Sequence, residues 1–150
     1  MRPPIHIAVD GIVTPLSRSK AQRVVESVLR AERVPKALIS VAFVTSRQIG
    51  ALNREHLGHT GATDVISFGF SRAKKTDPVV GDIYVAPEVA RKNAQASRVS
   101  AREEIVRLLV HGTLHVLGYD HPDDGGREKS AMWKRQERLV ARSMKAAGLP

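Results

Sequence analysis

The most informative run of the chain is the stretch His111-Gly-Thr-Leu-His115-Val-Leu-Gly118-Tyr-Asp-His121. Two of its histidines are four residues apart, so on a helix they project from one face about one turn apart. Gly118 is placed to end that helix, because glycine readily adopts the left-handed conformation that a helix C-terminus requires. The chain then turns and can bring His121 back over the same face. The stretch therefore predicts three imidazoles that converge on one point.

The helix that carries this stretch begins at a capping sequence and is apolar over its second half. In Ser100-Ala-Arg-Glu103 the serine hydroxyl can accept a hydrogen bond from the backbone N–H of Glu103. The glutamate side chain can in turn accept from the backbone N–H of Ser100. The apolar residues that follow are Ile105, Val106, Leu108, Leu109, Val110, Leu114, Val116 and Leu117. They leave almost no polar face, and such a helix is buried on most sides. We therefore predict a central buried helix that carries the histidines.

In the rest of the chain, apolar and β-branched runs predict strands at about 5–9, 38–44, 63–70 and 80–86. The run 38–44 is nearly continuously apolar, which suits a strand covered on both faces. Further helices are predicted from Ser17 or Ser19 to about residue 33, from a Ser46 cap to about 57, from Pro87 onward, and over about 124–147. The order β-α-β-α-β-β-α-α-α predicts parallel pairs followed by an antiparallel hairpin. We expect an α+β fold, a small four-stranded mixed sheet packed with about five helices, as a single domain over 1–150.

Composition narrows the class of protein. The chain has 24 Lys and Arg against 15 Asp and Glu, a net charge of +9, which makes it a candidate for binding a polyanion. A basic surface that serves only solubility is the alternative. Aromatic residues make up 4%, too few for binding single strands mainly by base stacking. With no cysteine, no signal-like start and no membrane-length apolar run, we expect a cytoplasmic protein with no membrane partner.

The three histidines indicate a metal site. A lone buried histidine is usually a satisfied core residue, but two on one apolar face are harder to satisfy, since an unpaired buried polar group costs about 1–3 kcal/mol. Three imidazoles with a fourth position open are typical of a catalytic Zn²⁺ site, although another divalent transition metal is possible. The spacing also matches the ligand frame of the metzincin proteases, which have a glutamate base after the first histidine. Here that position is Gly112.

Other polar residues near the stretch are weaker candidates. Asp120 is a candidate to orient a histidine or to accept a proton during catalysis. Asp123 and Asp124 are better explained by turn and cap chemistry. Glu103 and Glu104 are better explained by capping and by the positive end of the helix dipole. Surface or capping roles are expected for the remaining histidines, His6, His56 and His59, with an approach of His56 and His59 to the site as the alternative.

The stretch 111–121, with Asp120 and the acidic turn after it, resembles the YbeY family of rRNA maturation factors, also described as metal-dependent endoribonucleases. The resemblance extends upstream and covers roughly residues 38 to 147. The further matching runs are Leu52-Asn53, Thr63-Asp-Val-Ile-Ser-Phe68, Gly81-Asp-Ile83 and Pro87-Glu-Val-Ala90. The family's fold is α+β, with a four-stranded sheet against helices.

The resemblance implies a single-strand-specific endoribonuclease that acts in 16S rRNA 3′-end maturation, ribosome assembly and ribosome quality control. It implies that His111, His115 and His121 bind zinc and act in catalysis through it. It implies rRNA and the small ribosomal subunit as partners, with ribosomal proteins and an assembly GTPase as further candidates. The family commonly has an arginine at the position of Leu57, and Arg54, about one turn earlier, is a candidate RNA-binding substitute. Many members also have Phe-Pro where this chain has Phe68-Gly69.

Two alternatives to this function stay open. In one, the protein is a non-catalytic ribosome assembly factor, in which a metal stabilises the fold and the basic surface binds the ribosome. In the other, it is a zinc peptidase, which Gly112 argues against.

Overall fold

The computed structural model describes residues 4–120 and 130–150. Within these ranges the strands are β1 (Ile5–Gly11), β2 (Ala37–Phe43), β3 (Val65–Phe70) and β4 (Val79–Val85). The helices are α1 (Arg18–Ala31), α2 (Ser46–Leu57), α3 (Pro87–Ser97), α4 (Ala101–Val116) and α5 (Ala131–Ala146). None of the helices in this part of the chain is long and apolar enough to span a membrane.

The strands form one mixed sheet in the order β1-β2-β4-β3. β1 pairs with β2 in parallel, β2 pairs with β4 in parallel, and β3 pairs with β4 antiparallel. The predicted α+β class, with a small four-stranded mixed sheet and about five helices, is confirmed. β4 lies between β2 and β3, so the strand that follows α2 along the chain takes the edge of the sheet.

The two faces of the sheet are covered unequally. On one face Ile39, Val41 and Ile83 are at most 2% exposed and pack in the main core with α1, α4 and α5. On the other face, Ile49 of α2 packs against Ile66 in a smaller core. The prediction that β2 is covered on both faces is wrong, because α2 packs on β3 and leaves the outward side chains of β2 exposed.

Helix α4 is the central element, as predicted. Its apolar side chains face the sheet on one side and α1, α3 and α5 on the others. Ser100 Oγ accepts the N–H of Glu103 at 3.0 Å and caps the first turn. The glutamate of the expected capping box instead binds Arg107, which is one turn further on. The helix ends at Val116, and Gly118 follows with φ +99°, the left-handed conformation expected of it.

One predicted helix start is shifted. α2 is capped by Thr45 rather than Ser46: Thr45 Oγ1 accepts from Gln48 N at 3.1 Å, and Gln48 Oε1 accepts from Thr45 N at 2.9 Å. This reciprocal pair satisfies two donors that a Ser46 cap would leave open. α5 begins at Ala131, after Ser130, whose backbone is extended (φ −70°, ψ 156°) and whose Oγ accepts from Trp133 N at 3.1 Å. Positions 124–129 lie outside the described residues.

Candidate functional site

His111 and His115 lie side by side on α4, as their spacing predicts. Their ring centroids are 4.5 Å apart and the ring planes are inclined by 75°. The two Nε2 atoms face each other at 3.0 Å. Both residues are half-buried, so their facing edges lie where the buried helix reaches the surface.

The opposite nitrogen of each ring contacts a carbonyl oxygen. His115 Nδ1 lies 2.9 Å from the main-chain oxygen of Tyr119, which the left-handed turn at Gly118 brings back toward the helix. His111 Nδ1 lies 2.6 Å from Gln136 Oε1, on α5. A carbonyl oxygen only accepts hydrogen bonds, so both rings donate through Nδ1–H. In the neutral rings the Nε2 lone pairs then converge on one point.

Gln136 is itself oriented by an ion pair. Its Nε2 donates to Glu137 Oε2 at 3.1 Å, and Arg107 donates to both oxygens of Glu137, at 3.0 and 2.9 Å. Burial opposes ionisation of Glu137, but the hydrogen bonds from Arg107 and Gln136 and the charge of Arg107 outweigh it and lower its pKa. The bond to Glu137 raises the pKa of Arg107 well above its usual range, against the effect of burial. The pair therefore stays charged and links α4 to α5 beside His111.

Glu104 has contacts beyond those expected of it. It lies in the first turn of α4, as the explanation by the helix dipole requires, but its side chain is buried beside Arg107, with the residue 8% exposed. Burial raises its pKa; Arg107 and a hydrogen bond with Asn93 oppose the shift, and the nearby carboxylate of Asp64 adds to it. Glu104 also lies on the face that α4 turns toward α3 and β3, which the helix dipole does not require.

The histidine pair lies at the wall of an open hollow of about 400 Å³. The described residues that line it are Leu57, Thr63, Asp64, Val65, Ile66, Ser67, His111 and His115. Leu57 is 48% exposed at its rim, and the polar groups come from the segment that leads into β3 and from α4. A second hollow of about 380 Å³ also has His111 in its wall, together with Asp64, Trp133 and Gln136.

Some predicted site residues are not brought to this point by the described part of the structure. His121, Asp123 and Asp124 lie outside the described residues, so the third ligand stays a prediction. Asp120 is exposed directly after Tyr119. Arg54 is exposed on α2 and is not among the described residues that line the hollow.

Within 4–120 and 130–150, no group of three His, Cys, Asp or Glu side chains is arranged to hold a metal ion. The pair on α4 accounts for two of the three predicted ligands. Of the other histidines, His56 packs edge-on against Phe68 with the ring centroids 5.4 Å apart, and His6 and His59 are exposed.

Gln136 is the site residue that the sequence analysis missed. A signal for it was present: Gln136 is four residues from both Met132 and Val140, so it falls on the apolar face of α5. A buried amide on such a face requires polar partners. Asp64, which belongs to one of the runs that match the family but had no predicted role, directly precedes β3 and accepts from Asn93 Nδ2 at 3.1 Å.

Fold and site together define an α+β domain whose central helix holds two convergent histidines beside an open hollow. The family model described as Endoribonuclease YbeY matches residues 11–144. The chain belongs to the YbeY family, as the resemblance indicated.

Among its relatives, Endoribonuclease YbeY of Anaeromyxobacter sp. (strain Fw109-5) is 38% identical over 141 residues, 89% of this chain and 73% of the relative. Endoribonuclease YbeY of Chlorobium phaeobacteroides (strain BS1) is 32% identical, over 84% of this chain and 88% of the relative. The solution structure of TM1509 from Thermotoga maritima superposes with a TM-score of 0.64, covering 93% of this chain and 90% of that one at 22% identity. That likeness supports the fold alone.

Proposed function

We propose that this protein is a metal-dependent endoribonuclease in which His111, His115 and His121 hold Zn²⁺. The observation that carries the proposal is the pair of Nε2 atoms 3.0 Å apart, with both Nδ1 atoms against carbonyl oxygens. Two lone pairs at this separation repel each other unless a cation or a proton lies between them. The donor set therefore fits a shared metal ion.

The spacing of the two nitrogens supports the same ion. Nitrogens bound to one zinc at about 2.0–2.1 Å, at a tetrahedral angle, stand about 3.3 Å apart. The observed 3.0 Å differs from that by about 0.3 Å. His121 is the third ligand by its spacing and by the family resemblance. The hollow that His111 and His115 line would give a substrate access to an ion held by these residues.

RNA is the substrate class that charge and kinship favour. The chain carries a net charge of +9, and the relatives that it matches are named endoribonucleases. Lysines and arginines on the surface would bind phosphates, with an affinity that falls as salt rises. The finer assignment rests on the resemblance to the family. By that resemblance, the substrate is single-stranded RNA at the 3′ end of 16S rRNA, and the small ribosomal subunit is the partner. The protein would then act in the cytoplasm, in ribosome assembly and quality control.

The residues of the chain have separate parts in this reaction. Zinc, when bound, supplies Lewis-acid polarisation of a phosphoryl oxygen and makes water more acidic. His111 and His115 present Nε2 because Gln136 and the Tyr119 carbonyl hold their other nitrogens. Asp120, exposed next to Tyr119, is the candidate proton acceptor.

One observation favours the alternative of a non-catalytic assembly factor. The described residues that line the hollow include no lysine or arginine, and Leu57 lies at its rim where the family commonly has an arginine. A cation at this position would stabilise the charge that develops on a phosphate during cleavage. A zinc peptidase is disfavoured, because a Cβ at position 112 would lie 2.9 Å from Ile83 Cγ2, leaving no room for the glutamate base.

The test uses purified, zinc-loaded protein and a single-stranded fragment of the 16S rRNA 3′ end. We expect the parent protein to bind one zinc per chain and to cut the fragment. His115→Ala is expected to lose both properties, while His59→Ala, a change at an exposed histidine, is expected to keep both. No cleavage by the zinc-loaded parent would favour the assembly factor, and cleavage unchanged in His115→Ala would refute the proposal.

A further inference from the structure

We propose that Gln136 is a positioning residue that fixes His111 in the Nδ1–H tautomer and so keeps Nε2 turned toward His115. The role as a zinc-site support rests on the proposed function, but the tautomer itself does not depend on a metal. Gln136 lies on a different helix from the histidines, so the inference makes the docking of α5 part of the site.

The hydrogen-bond partners of Gln136 fix the orientation of its side-chain amide. The two ends of a glutamine side chain are nearly alike in shape, and its hydrogen-bond partners decide which end points where. Here the Glu137 carboxylate, which accepts only, lies 3.1 Å from one end of the Gln136 amide. That end must be the NH₂ group. The oxygen is therefore the end that faces His111.

The Gln136 oxygen determines which ring nitrogen of His111 carries the proton. With a carbonyl oxygen 2.6 Å from Nδ1, a bare Nδ1 would bring two lone pairs together, whereas Nδ1–H makes a hydrogen bond. The proton of the neutral ring is then on Nδ1, and Nε2 carries the lone pair. In the other tautomer Nε2–H would point into the space between the histidines and block it for a cation.

Burial and a neighbouring ion pair hold Gln136 in place. The residue is 3% exposed on the inward face of α5, between Met132 and Val140, which are both buried in the main core. The bidentate Arg107–Glu137 pair lies one position away and anchors the same turn of α5 to α4. Arg107 precedes His111 by one helical turn, so the same two helices carry the ring and its support. The amide has little freedom to move away.

The tautomer is read directly by ¹⁵N NMR of the histidine rings in metal-free protein at pH 8.5, where an ordinary histidine is neutral. We expect Nδ1–H for His111 in the parent protein. Gln136→Leu is expected to lose that signature. Gln95→Leu, the same change at an exposed glutamine of α3, serves as the matched control and is expected to behave as the parent.

Zinc affinity, measured by competition with a chromophoric chelator, is the second readout. Gln136→Leu is expected to bind zinc about 10–100-fold more weakly than Gln95→Leu, the usual effect of removing a residue that supports a ligand. A parent protein with Nε2–H on His111, or a Gln136→Leu protein that keeps both Nδ1–H and full affinity, overturns the inference. A parent that shows Nδ1–H but binds no zinc supports the tautomer assignment and refutes the metal-dependent function.

Discussion

Replacing Gly112 by alanine tests the close packing of α4 on the sheet. A Cβ at this position would stand 2.9 Å from Ile83 Cγ2 and 3.4 Å from Val65 Cγ2. Ile83 is fully buried, so its methyl group has to shift by several tenths of an ångström in a packed core. Such overpacking costs about 1–3 kcal/mol. Alanine also stabilises a helix interior by about 1 kcal/mol relative to glycine, so the net loss is about 0–2 kcal/mol.

Gly50 provides the matched control, because it also lies inside a helix but has room. The nearest atom to a Cβ at Gly50 is 3.7 Å away, an ordinary contact, so Gly50→Ala is expected to stabilise the protein by about 0.5–1 kcal/mol. Urea unfolding followed by far-UV circular dichroism gives both free energies. The difference between the two variants is expected to be about 1–3 kcal/mol, the overpacking alone. Equal stabilisation by both substitutions would refute the reasoning.

Three other substitutions give separate tests. The raised pKa of Glu104 means that the ionised carboxylate is disfavoured in the folded state, so ionisation of Glu104 destabilises the fold as pH rises through that pKa. In urea unfolding, the stability of Glu104→Gln relative to the parent protein is therefore expected to increase between pH 3 and pH 7. A decrease over that range would contradict the reasoning. Ser130→Ala removes the 3.1 Å cap on Trp133 N and is expected to cost about 1 kcal/mol, against almost nothing for Ser46→Ala, which lies beside a cap without being one. Leu57→Arg brings a cation to the rim of the hollow and is expected to speed RNA cleavage by roughly tenfold or more, since one well-placed donor is worth about 10²–10³ in rate. Leu57→Gln, which adds a polar group without a charge, is the control. Equal rates for the two variants would show that position 57 does not face the substrate.

The parts of the fold that could be predicted depend on local sequence. Helix α4 follows from a serine at its start, a glycine after its end and an apolar surface between them, which act within a few residues of each other. The histidine pair follows from helical periodicity alone. At α2, Thr45 and Ser46 are both capping residues, and the choice between them depends on the reciprocal bond to Gln48. Sequence spacing indicates such a bond only after the first helical residue is known.

The parts that could not be predicted depend on contacts between distant segments. The pairing of β2 with β4 brings together strands that are separated by α2 and β3, and the apolar pattern of each strand suits several neighbours. The partner of His111 is 25 residues further along the chain. Periodicity places Gln136 on the inward face of α5, but the docking of that helix decides which side chain it meets. The burial of Glu104 depends on distant segments in the same way, because α3 and β3 cover a face that the first turn of an isolated helix would expose.

The turn at Gly118 makes the orientation of His115 less sensitive to amino-acid substitution than that of His111. The oxygen that holds His115 belongs to the main chain of Tyr119, and any amino acid at that position would supply it. His111 depends on the chemical identity of the single side chain at position 136. In saturation libraries at these two positions, selected for zinc retention, we expect many residues to survive at 119 and only acceptors of suitable length to survive at 136. A lineage that loses this site is therefore expected to lose the orientation of His111 first, while backbone shape preserves that of His115.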